Sequence, residues 1–97
     1  MVRIEFAARV SADFDRIAEH LAGHEASDVQ ARVEAIISAI DLLALHPEIG
    51  RPVDAGLREL VIGRGSRGNV ALYSFSEELE VVFVLALRSQ REAGYRV

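Results

Sequence analysis

Arginine is the side chain here best suited to hold an anion, and it is the only cation: the chain has eleven arginines and no lysine. Arg88 and Arg91 stand with Tyr95 near the C-terminus, and Arg58, Arg64 and Arg67 lie upstream. Guanidinium forks bind carboxylate or phosphate through paired hydrogen bonds, but they stay protonated and make poor general bases. Other reactive constellations are missing or thin. There is no cysteine, which excludes disulfides, thiolate metal sites and cysteine nucleophiles. His20 and His24 are spaced to share a helix face, but Gly23 lies between them and no third ligand is close, so no metal site is expected. His46 sits in a proline turn, and no Ser/His/Asp set suggests itself. Gly63-Arg64-Gly65-Ser66-Arg67-Gly68 could wrap an anion in backbone amides, yet it follows a strand and opens no helix. It reads instead as a loop offering two exposed arginines to a partner.

Charge is unevenly spread. The whole chain carries −4, the first half is acidic, and seven of the eleven arginines fall after residue 50. An acidic protein is a poor candidate for generic nucleic-acid binding, which draws its affinity from phosphate neutralisation. An anionic target would have to be met by a local arginine cluster in the second half.

Ninety-seven residues suffice for one domain and not for two separate cores. The 51% apolar content is that of a folded globule, and the longest apolar run, Val81 to Leu87, is too short to span a bilayer. The alternating, charged N-terminus is no signal peptide, so a cytoplasmic domain is expected. Val2, Ile4 and Phe6 alternate with Arg3 and Glu5, which predicts a half-buried strand. Ser11 offers a helix cap, with Asp13 and Asp15 as helix-start charges and Phe14, Ile17, Ala18 and Leu21 at helical spacing up to Gly23. Ser27-Asp28-Val29-Gln30 reads as a capping box for a second helix, whose stripe runs Val29, Val33, Ile36, Ile37, Ile40, Leu43 and Ala44 before Pro47. Three strands follow: Leu57 to Ile62, Val70 to Phe75, and Leu79 to Leu87. The expected fold is α+β in the order β-α-α-β-β-β, one antiparallel sheet with an N-terminal helical hairpin packed on one face.

In this order the residues resemble the ParE/RelE family of toxins from type II toxin–antitoxin operons, over nearly the whole chain. The likeness rests on the acidic first helix, the long second helix, and the turn His46-Pro47-Glu48-Ile49-Gly50-Arg51-Pro52. It continues in Leu57-Arg58-Glu59-Leu60, in Tyr73 at the end of the middle strand, and in the close Arg88-Ser89-Gln90-Arg91-Glu92-Ala93-Gly94-Tyr95. The resemblance implies one of two activities. RelE-like members cleave messenger RNA on the ribosome, using first-strand lysines, arginines on the middle and last strands, and a tail tyrosine; ParE-like members poison DNA gyrase. The first-strand lysines have no counterpart here, and Val70 stands where the middle-strand arginine would be. Arg88, Arg91 and Tyr95 match the remaining positions and would be the catalytic set of a nuclease. The departures favour the ParE-like reading, with Arg58, Arg64, Arg67, Arg88, Arg91 and Tyr95 as target contacts. Arg88 is expected to be held by a rigid strand while the tail beyond it stays free to adapt. A family member that only pairs with its antitoxin is the third possibility. The resemblance implies no cofactor, and as partner a ParD-like antitoxin whose disordered tail would wrap the domain in a hetero-oligomer.

Overall fold

The N-terminal alternation forms β1 (Arg3–Phe6). In the computed structural model, which describes residues 2–20, 26–65, 68–92 and 94–95, two helices follow it, α1 (Val10–His20) and α2 (Ala26–Asp41). A helical turn at Leu42–Ala44 ends the helical part ahead of Pro47. The remaining strands are β2 (Arg51–Pro52), β3 (Arg58–Ile62), β4 (Asn69–Ser76) and β5 (Val81–Ser89). Helix α1 starts one residue before the expected cap, which puts Ser11 inside its first turn; Gly23 and His24 lie outside the described residues.

The sheet has five strands in the order β1-β5-β4-β3-β2, and it is mixed, where a purely antiparallel one was expected. The strands β2 to β5 alternate in direction, while β1 runs parallel to β5 with Arg3 opposite Val81. The unexpected element is β2, only two residues long and carrying a proline, so it has no alternation to show. It adds one reversal of the chain before the β3–β5 meander. That reversal turns β5 into the direction of β1.

Helices α1 and α2 cover one face, α1 against β5 and α2 against β3. The core between them joins Val10, Ile17, Ile36, Ile40 and Leu43 to Leu60, Ile62, Ala71, Tyr73, Val82, Val84 and Leu87. Ile37 of the expected α2 stripe is exposed instead.

Strand β5 carries an irregularity that decides where the arginines point. Tyr73 pairs with Val84 and Leu72 with Ala86, which leaves Leu85 as an extra, unpaired residue. Such a bulge breaks the period of two and exchanges the faces beyond it. Before it, Val82 and Val84 face the helices; after it, Leu87 does. Arg88 is thereby turned away from the core, opposite Val70 on the far face. Leu85, which reads as core in a continuous apolar run, is only half-buried.

Candidate functional site

The face away from the helices is defined by register. Arg51 opposes Glu59, Glu59 opposes Leu72, and Val61 opposes Val70, which in turn opposes Arg88. Cross-strand partners share a face, so Arg51, Glu59, Val61, Val70, Leu72 and Arg88 lie together. Val70 and Ala86 are buried there although they belong to no part of the helix-side core.

Glu59 is the hub of this face. Its Oε1 accepts from Arg51 Nε at 3.1 Å and Nη2 at 2.9 Å. Its Oε2 accepts from the Tyr95 hydroxyl at 2.6 Å and lies 3.9 Å from Arg88 Nη2. The Arg88 guanidinium also sits over the Tyr95 ring, 5.2 Å from its centroid. Arg88 Nη1 donates to the carbonyls of Ser89 and Glu92, each at 3.2 Å. The Arg88 side chain keeps only 15% exposure, and its Nε is buried without a partner among the described residues. To reach Glu59, the chain after β5 must pass back across β4 to β3. Tyr95 therefore rests against the sheet, although the tail beyond Arg88 was expected to stay free; Ala93, Arg96 and Val97 lie outside the described residues.

Ionisation follows from these contacts. Burial would raise the Glu59 carboxyl, but the Tyr95 hydroxyl, Arg51 and Arg88 outweigh it and hold the group below the ordinary value of 4.5. Tyr95 is pushed far above the ordinary phenol range, by burial first and then by the Glu59 carboxylate. It stays a neutral hydroxyl at any physiological pH. Its proton is directed at Glu59 Oε2.

A second network secures the outer edge of β5. Strand β1 pairs with β5 only up to Val84, so among the described residues the backbone beyond has no strand on this edge. Helix α1 supplies the missing partners: Asp13 Oδ2 accepts from Leu87 N at 2.9 Å and Arg16 Nη2 donates to Leu87 O at 3.0 Å. Asp13, expected to be a helix-start charge, is 2% exposed and also accepts from Arg16 Nη1 at 2.7 Å and Arg9 Nη2 at 3.3 Å. Burial opposes its charge, but those hydrogen bonds prevail and keep its carboxyl below the ordinary value. Arg16 Nε continues to Glu92 Oε1 at 2.8 Å, and Glu92 Oε2 accepts from Ser89 N at 2.7 Å.

The other arginines divide. Arg58 is a staple, donating from Nη1 to the carbonyls of Glu48 and Gly50 at 3.0 and 2.7 Å. Arg64 and Arg91 are exposed, and neither guanidinium has a hydrogen bond or ion pair among the described residues. Arg67 lies outside the described residues. Tyr73 is entirely buried and structural: its hydroxyl donates to Pro47 O at 2.8 Å and accepts from Gly50 N at 2.9 Å.

Comparison with known proteins gives the same outline. Residues 4–94 match the family described as the ParE toxin of the type II toxin–antitoxin system parDE. Among solved structures the chain is similar to the chromosomal ParDE system from P. aeruginosa, at TM-score 0.75 and 19% identity over 92% of this chain and 96% of that one. It is also similar to the intact E. coli RelBE toxin–antitoxin complex, at TM-score 0.58 and 16% identity over 95% and 100% of the two chains. A metal-bound toxin from Helicobacter pylori gives TM-score 0.54 and 14% identity over 97% and 100%. At these identities the structures speak for the fold alone. No curated protein matches the chain.

Proposed function

From the premise that this chain belongs to the ParE toxin family of type II toxin–antitoxin systems, we propose that it arrests growth by binding and poisoning DNA gyrase. In this reading it makes no covalent change of its own, and a ParD-like antitoxin neutralises it. The observation that carries the reading is the occupied far face of the sheet. A ribonuclease needs cations to meet the phosphate, a base for the 2′-hydroxyl and a donor for the leaving oxygen. Here Glu59 stands among the cations, Val70 is fully buried, and the Arg88 and Tyr95 side chains are spent on each other and on Glu59. Arg51 and Arg88 already have Glu59 as their counter-ion, which lowers the positive field available to a phosphate.

An antitoxin partner is supported by the solved ParDE and RelBE relatives and by exposed apolar side chains, among them Ile37, Leu42 and Leu45 at the end of α2. Primer extension on ribosome-bound transcripts after induction tests the reading. Intact transcripts in growth-arrested cells are expected; codon-linked cuts that require this protein would overturn it.

A further inference from the structure

We propose that Glu59 is a positioning residue for the target-binding end: it fixes the segment after β5 against the sheet so that Arg91 is displayed as the cation that meets the target. The inference rests on the toxin reading above, and it assigns Arg88 to the anchor instead of the contact.

The segment is pinned at two points. Glu92 is held by Arg16 from α1 at 2.8 Å and closes back on Ser89 N at 2.7 Å. Tyr95 is held by Glu59 from β3 at 2.6 Å. At the end of β5 stands Arg88, whose Nη1 grips the carbonyls of Ser89 and Glu92 while its guanidinium stacks on Tyr95. Arg51 occupies the other oxygen of Glu59 and leaves Oε2 to Tyr95 and Arg88. All the fixed contacts thus converge on the neighbours of Arg91, which is itself exposed and unbonded among the described residues. A segment ordered before binding loses less conformational freedom on association, so the clamp favours affinity without touching the target.

The bulge at Leu85 belongs to the same device. In strict alternation, with Leu85 kept, Arg88 would share the face of Val82 and Val84, away from Glu59.

The test uses the purified full chain and three variants: Glu59→Ala, Glu59→Gln, which keeps an acceptor for Tyr95, and Arg91→Ala. Two quantities are read: amide hydrogen exchange at Ser89, Gln90 and Glu92, and the concentration needed to inhibit gyrase supercoiling. Thermal stability and antitoxin capture report the fold. Losing one charge-assisted contact corresponds to about ten- to a hundredfold. Glu59→Ala should speed exchange at Glu92 and weaken inhibition by about tenfold or more, with antitoxin capture unchanged. Glu59→Gln should recover part of both. Arg91→Ala should weaken inhibition to a similar degree with exchange unchanged. Unchanged exchange in Glu59→Ala overturns the clamp, and a loosened segment with full inhibition overturns its positioning role. Full inhibition by Arg91→Ala overturns the assignment of the contact. If the parent chain leaves gyrase untouched, the toxin reading fails separately, and exchange alone decides the clamp.

Discussion

Two buried carboxylates, Asp13 and Glu59, set how this chain responds to acid. Each is held below its ordinary value, 3.8 for Asp13 and 4.5 for Glu59, because arginine and hydrogen-bond donors outweigh the penalty of burial. A group depressed in the folded state contributes stability that is fully present above its unfolded value. The protein should therefore hold constant stability from neutral pH down to about 4.5 and lose it progressively as pH falls through the depressed values. Asp13→Asn should flatten that acid limb and cost about 3 kcal/mol at neutral pH, because Arg16 and Leu87 N lose a charged acceptor. Denaturant titrations at several pH values check both. The sequence marks neither carboxylate as the centre of a network. Asp13 reads as a helix-start charge because nothing in α1 shows that, among the described residues, β5 lacks a strand on its outer edge past Val84. Glu59 was more legible: in Arg58-Glu59-Leu60-Val61-Ile62 it falls out of phase with the core residues Leu60 and Ile62. Its phase points to the far face, but its partners come from segments distant in sequence.

At the scale of elements, the helices could be read from hydrophobic period and the three-strand meander from apolar runs bounded by turns. Two features could not. Strand β2 is too short to have a pattern, and its omission made the sheet look wholly antiparallel. The bulge hides inside an apolar run whose every residue fits either face. Its consequences are measurable. Leu87→Ala, in the core, should cost about 2–5 kcal/mol, whereas the half-buried Leu85→Ala should cost clearly less. Deleting Leu85 should leave Leu87 facing the helices and Arg88 on the far face, since it removes the one extra residue and restores regular pairing with β4. The turn before β2 is equally constrained. A Cβ on Gly50 would lie 2.6 Å from the Tyr73 ring and hydroxyl and 2.9 Å from Glu59 O. Gly50→Ala should cost about 1–3 kcal/mol by thermal melting. Tyr73→Phe in the same chain should relieve only part of that loss, because the Tyr73 Cε1 contact and the Glu59 O contact remain.

Across the whole molecule, the two carboxylate networks meet in the segment after β5. Asp13, Arg16 and Glu92 fasten it from the helix side, and Glu59 with Tyr95 fastens it from the far face. An acidic chain with arginine as its only cation thus spends Arg16, Arg51, Arg58 and Arg88 internally and, among the described residues, leaves Arg64 and Arg91 outward. That division suits recognition of a protein surface better than transfer of protons on RNA. Supercoiling of relaxed plasmid by gyrase, with purified chain added alone or with its antitoxin, tests this most directly. The account predicts dose-dependent loss of supercoiling that the antitoxin restores. Full supercoiling at every dose, together with cleavage of ribosome-bound messenger RNA by the same preparation, would contradict it.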